Sequence, residues 1–192
     1  DYSNGKGDLP ALETLLPWQN SLGTISGPAY GEEYSFNFPA SHPLARFIMV
    51  SPGIFPSSKY DYNTNQADYL WVQKQIVTAK QQGLWIIVGM AEGCIFIYSA
   101  SDSTPCQNVA SNDQDGDLFN LLVQQNVDLV LQAHIHNYQR SNQFALGSNC
   151  TSIPTDGSFN AACVGTPTDN YIQGKGTVVV NDGTGGKTSV SI

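Results

Sequence analysis

Two segments in which a helical pattern is followed at once by a β-rich run constrain the fold of this chain more than any other feature. In the first, residues 67–82 carry apolar side chains mostly at three- and four-residue intervals, and Gly83 follows as a C-terminal cap. The apolar run 84–90 comes directly after it. In the second, a helix predicted over 116–126 leads into the run 127–132. Helices that alternate with strands predict α/β layering, in which the loops at strand ends carry the chemistry.

The segments around these units predict further strands. Residues 34–38 alternate aromatic and polar side chains, as a half-buried strand does, and residues 45–51 are apolar enough to form a central strand. The run 84–90 is expected to be buried on both faces. After residue 137 the sequence changes to short polar runs separated by glycine turns, and it ends in the strand-like stretch 176–192. This part predicts antiparallel strands, either at an edge of the sheet or in a second sheet.

The composition is that of one globular domain with an acidic surface. The chain has 192 residues, of which 41% are hydrophobic and 12% charged, and this is enough apolar material for a sizeable core. Eight Lys and Arg against sixteen Asp and Glu give a formal net charge of -8, and no basic cluster could neutralise a phosphate backbone. No run approaches the ~20 apolar residues of a membrane span. We therefore expect neither nucleic acid nor a membrane as a partner.

The four cysteines fall into two pairs that each bracket a short loop: Cys94 with Cys106, and Cys150 with Cys163. Two local disulfides are the preferred interpretation, and a zinc site is the alternative, although C-x₂-C spacing is absent. Asn149 begins an Asn-Cys-Thr sequon for N-glycosylation beside the second pair. Disulfides and an N-linked glycan both belong to the secretory route. The sequence therefore predicts a secreted, extracellular glycoprotein.

Two histidines lie two residues apart at the end of an apolar run. His134 and His136 follow the predicted strand 127–132. Residues i and i+2 of an extended segment point to the same side, so both imidazoles could reach a common metal ion of the zinc, iron or manganese type. The alternative is that one histidine completes a loop and the other bonds to a backbone carbonyl. The third histidine, His42, lies in a predicted turn and is expected at the surface.

The stretch VDLVLQAHIHNYQR resembles the last signature of the calcineurin-like metallophosphoesterases, the superfamily that includes the purple acid phosphatases. The usual form of that signature is Gly-His-x-His, often continued as Asn-Tyr-Gln-Arg. Four other segments look like successive blocks of a secreted branch of the same superfamily, and they occur in the same order: ARFIMVSPG, YLWVQKQI, WIIVGM and GTVVVNDGTGG. The resemblance therefore covers most of the chain.

The resemblance implies a four-layer α/β/β/α metallophosphoesterase sandwich and a site that holds two divalent or trivalent metal ions. In that family the metals clamp a phosphate ester while a bridging hydroxide attacks in line. By resemblance, His134 and His136 would each bind one metal ion. Tyr138 and Arg140 would line the site, with the edge of a sheet as the alternative position for both.

The departures from the family pattern bear on both the site and the extent of the chain. Where the family has a metal-binding histidine, this sequence has Ala91, which cannot coordinate a metal, and Ala133 replaces the usual glycine. The family's earlier signatures are absent, so residues 1–192 are expected to be the C-terminal part of a single domain that lacks its N-terminal strands. Two functions follow as hypotheses. One is hydrolysis of phosphate esters; the other is a catalytically degenerate extracellular module with a structural, self-assembling or binding role.

Overall fold

The helices and strands occur in the order predicted from the helical patterns and β-rich runs of the sequence. The computed structural model of the chain describes residues 13–19, 23–27, 30–52, 60–91, 93, 95, 116–154, 158–166 and 170–185. Residues 13–15 are helical, and the helices that follow in the described residues are α1 (Ala67–Gln81) and α2 (Gly116–Gln124), with a 3-10 turn at Ala161–Cys163. The strands are β1 (Tyr34–Phe38), β2 (Ala45–Met49), β3 (Trp85–Gly89), β4 (Leu129–Gln132), β5 (Tyr138–Arg140), β6 (Gln143–Phe144), β7 (Val164–Thr166) and β8 (Val178–Asp182). Both predicted αβ units are confirmed.

Six of the strands form one mixed sheet with the order β1-β2-β3-β4-β8-β5. The four inner strands β2, β3, β4 and β8 run parallel to one another, while β1 and β5 are antiparallel at the two edges. The strands β6 and β7 pair separately as a two-stranded antiparallel sheet. Because the inner strands are parallel, their carboxyl ends meet at one edge of the sheet, where α/β folds place their sites.

One face of the sheet is buried by the helices. Val72 and Ile76 of α1 are fully buried in one cluster with Ile48, Ile86 and Val88 from β2 and β3. Leu118 and Leu122 of α2 join the same cluster. The helix α1 ends where the sequence predicts, because Gly83 takes a positive φ of 69°. The next strand then begins within two residues, which places α1 directly on β2 and β3.

The opposite face is only partly covered in the described part of the chain. Alternate residues of β3 show the contrast: Ile86 and Val88 face the helices and are buried, whereas Trp85 is 45% exposed and Ile87 is half-buried. Leu131 of β4 is 40% exposed on the same side as Trp85. The prediction that 84–90 is buried on both faces is therefore wrong for these residues. The physical reason is that the described helices pack on one side of the sheet.

Aromatic rings cover the β1 and β2 end of this open face. Trp18 contacts Phe36 edge-on with ring centroids 4.9 Å apart, and Phe36 stacks on Phe47 at 5.0 Å. Tyr30 packs against Trp18 and against Tyr34 at 5.6 and 5.3 Å. The segment before β1 thus extends the core over the first two strands, and β3 and β4 keep their outer side chains accessible.

The prediction for the C-terminal part of the chain is half confirmed. The strand β5 is antiparallel at an edge, and β6 with β7 forms a second small sheet. By contrast, β8 is an inner strand parallel to β4, although the sequence predicts antiparallel strands there. The buried side chains of Val178 and Val179 explain the difference, since an apolar run belongs between two other strands.

One of the two predicted disulfides lies within the described residues and is confirmed. Cys150 is bonded to Cys163, which ties the turn at 147–150 to the 3-10 turn at Ala161–Cys163. Cys94 and Cys106 lie outside the described residues. Within the described part of the chain, no helix has the length and apolar character needed to cross a membrane.

Candidate functional site

A cavity of about 530 Å³ runs from the open face of the sheet to the carboxyl ends of its inner strands. Its floor is apolar and includes Phe47, Ile87 and Leu131. At the strand ends its lining becomes mixed, with Ala91 after β3, Ala133 after β4 and Asp182 at the end of β8. The ends of three inner strands therefore meet around one cavity, and two of them, after β3 and β4, lead into the positions that the sequence resemblance assigns to a metal site.

The loop with the two histidines follows β4 directly. His134 is exposed and has a positive φ of 67°, and His136 is half-buried. The backbone closes two tight turns here, because the N–H of Ile135 donates to the carbonyl of Ala133 at 2.9 Å and the N–H of Asn137 donates to the carbonyl of Ile135 at 2.7 Å. The two-residue spacing predicts that the histidines lie on an extended segment, and this prediction is wrong. Both histidines lie on a folded loop at the carboxyl ends of the inner strands.

A single buried amide on β8 holds this loop in place. The Nδ2 of Asn181, a residue with 1% exposure, donates to the carbonyls of Ile135 and Asn137 at 2.9 and 3.0 Å and to the Oδ1 of Asn137 at 3.1 Å. These bonds flank His136 on both sides along the chain. Because buried amides that bond backbone carbonyls fix the conformation of a loop, Asn181 sets the backbone geometry from which both imidazoles project.

Gly183 supplies the second constraint on the histidine loop. Its N–H donates to the carbonyl of Asn137 at 3.3 Å, and a β-carbon at this position would collide with the carbonyl of Ile135. Sequence reasoning did not single out Asn181 or Gly183. The sequence feature that could have identified them is a polar residue followed closely by a glycine at the end of an otherwise apolar strand.

The end of β3 carries the position at which the family resemblance expects a further ligand. Ala91 is exposed beside the cavity, and its methyl group offers no donor atom. Two residues later, Gly93 packs against the side chain of Gln132, which donates to the carbonyl of Ile95. The turn after β3 is thus tied to β4 by Gln132. Glu92 lies outside the described residues.

Tyr138 and Arg140 lie on the edge strand β5. Tyr138 is 60% exposed, and the guanidinium of Arg140 lies 5.6 Å from the ring centre of Tyr171. Their backbone pairs with β8 next to the histidine loop. Their position fits the alternative that both residues belong to a sheet edge, and a role in lining the site stays a prediction.

An acidic cluster lies beside the cavity, at the start of β1. Glu32 lines the cavity and accepts a hydrogen bond from the hydroxyl of Tyr60 at 3.1 Å. Glu33 is fully buried and accepts one from Tyr62 at 2.9 Å, and its second oxygen accepts no hydrogen bond from the described residues. Burial, and to a lesser degree the nearby carboxylate of Asp68, raises the pKa of Glu33 to about 7. This group is therefore largely protonated in mildly acidic solution.

The donor set of the described residues does not complete a metal site. His134 and His136 are two nitrogen donors of the type that zinc and iron bind, but no group of three or more His, Cys, Asp or Glu side chains comes together in the described ranges. Ala91 removes one donor that the resemblance places here. A two-metal centre would need most of its ligands from elsewhere.

Of the comparisons with known proteins, the one with solved structures agrees with the fold. No family model matches the sequence, and no curated protein matches it. The structure is similar to that of purple acid phosphatase PPD1 from yellow lupin (Lupinus luteus) seeds, with a TM-score of 0.55 and 20% sequence identity. The match covers 86% of this chain and 26% of that chain. The chain thus spans about a quarter of the length of that phosphatase.

This similarity shows the fold. The chain has the mixed α/β architecture of a partial metallophosphoesterase fold, built on a six-stranded central sheet. At 20% identity the similarity extends to the architecture and not to the site residues.

Proposed function

We propose that the chain belongs to a metal-dependent phosphoesterase and that His134 and His136 contribute two of its metal ligands. The observation that carries the proposal is the position of the histidine loop. The loop follows the carboxyl end of an inner parallel strand, where α/β folds place their sites. The fold is similar to that of a purple acid phosphatase, and Asn181 fixes the backbone of the loop.

The roles of the chain's own residues follow from this arrangement. His134 and His136 would hold metal through imidazole nitrogen, and Asn181 would fix the backbone that orients the two rings. The metal ions, when bound, would supply Lewis-acid activation of water and neutralise the charge of a phosphate ester. That residues 1–192 are the C-terminal part of one such domain stays a prediction, as do Tyr138 and Arg140 as site-lining residues.

Metal analysis together with a hydrolysis assay tests the proposal. We expect the purified protein to retain zinc, iron or manganese after dialysis, and His134→Ala and His136→Ala to reduce the retained metal. The exposed His42 provides the matched control, and His42→Ala should leave the metal content unchanged. Hydrolysis of a chromogenic phosphate ester should fall after chelation and return on addition of the metal.

Two outcomes would decide against an enzyme. If the folded protein retains no metal above the His134→Ala, His136→Ala double variant, the histidines are not ligands. If metal is retained but neither this chain nor any longer form of the protein hydrolyses the ester at any metal tested, the protein is a degenerate relative with a binding, structural or self-assembling role.

We also propose that the protein is secreted and carries an N-linked glycan on Asn149. Asn149 is exposed in the turn 147–150, next to the confirmed Cys150–Cys163 disulfide, so its side chain is accessible to modification. After expression through a eukaryotic secretory route, digestion with an N-glycosidase should lower the mass of the protein. Asn149→Gln should show no such change, and an unmodified Asn149 in the secreted protein would contradict the proposal.

A further inference from the structure

A buried arginine lies at the other end of the sheet, and no carboxylate of the described residues pairs with it. Arg46 is the second residue of β2 and is 9% exposed. Its guanidinium donates three hydrogen bonds, all to neutral oxygens: Nε to the Oδ1 of Asn37 at 2.8 Å, Nη1 to the carbonyl of Gln75 at 3.3 Å, and Nη2 to the Oε1 of Gln82 at 3.2 Å. A guanidinium has five N–H donors, so these bonds leave two of them unused.

The charge of Arg46 is only partly balanced by its surroundings. Burial lowers the pKa of Arg46, and no carboxylate of the described residues counteracts this. The carboxyl end of α1, at Gln82, offers at most the partial negative charge of a helix dipole, which is about half an elementary charge. A full positive charge buried without a counter-ion is strongly unfavourable. The described residues around Arg46 therefore offer no negative group.

A polar cavity of about 250 Å³ is lined in part by Arg46 and has room for a small negative group. Arg46 lines it together with the hydroxyl-bearing residues Thr24, Ser26 and Ser35 and with Asn37. None of the described lining residues is acidic. Because Asn37 accepts from Arg46 through Oδ1, its Nδ2 hydrogens are directed away from the guanidinium. The hydroxyl of Ser35 donates to the Oε1 of Gln75 at 2.9 Å. The donors left for a bound group are therefore the hydroxyls of Thr24 and Ser26 and the Asn37 amide, beside the positive charge of Arg46.

We propose that this cavity binds a small tetrahedral oxyanion of the phosphate or sulfate class, with Arg46 as its counter-charge. Such an anion has several acceptor oxygens and can bond a guanidinium, an amide and hydroxyls at the same time. Chloride cannot make this set of contacts. The cavity is larger than one anion, so a phosphate group attached to a small organic substituent shares the required chemistry.

This site is separate from the histidine loop. Arg46 lies near the amino end of β2, whereas His134 follows the carboxyl end of β4, and the strands between them are parallel. The two positions are therefore at opposite ends of the sheet. Binding at Arg46 requires no metal ion and does not depend on the proposed hydrolysis.

Thermal unfolding of the full chain in the presence of EDTA tests the proposal, since the chelator prevents phosphate from binding through metal ions. A ligand that binds the folded state raises Tm in a saturable way. We expect Tm to rise and level off with inorganic phosphate and with sulfate, and not with chloride at equal ionic strength. Glycerol phosphate is the fourth arm, and its effect distinguishes an esterified phosphate from the free anion.

Two variants and one control identify the site. Asn37→Asp places a carboxylate within hydrogen-bonding distance of Nε, so it should raise Tm without phosphate and weaken phosphate binding by about tenfold or more. Arg46→Met should lose the response to phosphate if it folds. Lys74→Gln removes an exposed cation from α1 and should respond like the unmodified protein. A response to chloride equal to that to phosphate, no saturable response, or an unchanged response in Asn37→Asp would overturn the proposal.

Discussion

At the scale of single residues, the buried carboxyl of Glu33 has the clearest consequence for stability. Its pKa is raised from an ordinary 4.5 to about 7 because the group is buried. Between these two pH values the folded state keeps a proton that the unfolded chain has released. Stability from this group is fully present below about pH 4.5 and is lost as pH rises through about 7. The loss amounts to at most about 3 kcal/mol.

The substitution Glu33→Gln tests this pH dependence. Glutamine keeps the shape and the acceptor for the Tyr62 hydroxyl but stays neutral at every pH. We expect the free energy of unfolding, measured by urea denaturation from pH 4.5 to 8, to fall less steeply in the variant and to exceed that of the unmodified protein above pH 7. Glu13→Gln, at an exposed position, serves as the control. Parallel pH profiles for the unmodified protein and Glu33→Gln would contradict the prediction.

A second prediction at this scale concerns Asn181, because its amide on β8 bonds the backbone of the histidine loop. Asn181→Ala removes three hydrogen bonds and should lower the free energy of unfolding by about 1–3 kcal/mol. The effect specific to its position should appear in the NMR signals of His134 and His136, which should shift and broaden as the loop loses its fixed conformation.

Gln143 provides a matched control for Asn181. It is equally buried, and its amide also bridges two backbone carbonyls, those of Ile172 and Gly176. Gln143→Ala should destabilise the protein by a similar amount but leave the histidine signals in place. If both variants change the histidine signals alike, Asn181 has only a general structural role.

At the scale of secondary-structure elements, the sequence predicts the order of strands and helices well where the signal is local. The helix α1 and its glycine cap, the strands β1 to β4 and the Cys150–Cys163 disulfide all follow from periodicity or spacing. The position of β8 does not, because strand pairing depends on contacts that are distant in sequence. The conformation of the histidine loop was missed for the same reason, since Asn181 acts from a different strand.

Gly83 offers a direct test of one local signal. Its φ of 69° lies in the left-handed region, and a β-carbon there would meet no atom within 4 Å. Gly83→Ala should therefore cost about 1 kcal/mol of stability through backbone strain alone. Gly83→Asn should cost less, because asparagine tolerates this conformation. Equal stability of all three proteins in thermal unfolding would show that the left-handed conformation at the end of α1 does not require glycine.

At the scale of the whole molecule, the sheet has one closed face and one accessible face. In an α/β/β/α sandwich the inner face of each sheet packs on the other sheet, which explains why the outward side chains of β3 and β4 are apolar. The closed face supplies the helix-packed core, and the accessible face holds the cavity that reaches the candidate site. The closed face is thus tied to stability, and the accessible face to the candidate site.

The accessible face predicts self-association of the 192-residue chain when it is produced alone. Leu131 and Trp85 are 40% and 45% exposed on this face, next to the apolar floor of the cavity. Exposed apolar surface of this kind favours association because contact removes it from water. Sedimentation should therefore show concentration-dependent oligomers, and a dye that binds apolar surfaces should fluoresce with the protein.

Leu131→Lys should shift this equilibrium toward the monomer, since a charged side chain in the middle of the face opposes its burial. The control is Leu70→Lys on α1, where the leucine is 45% exposed but lies outside the open face of the sheet. Because both side chains are similarly exposed, a general effect of added charge would act equally in the two variants. A monomeric chain at all concentrations, or equal dissociation in both variants, would mean that the open face is covered by residues of the same chain.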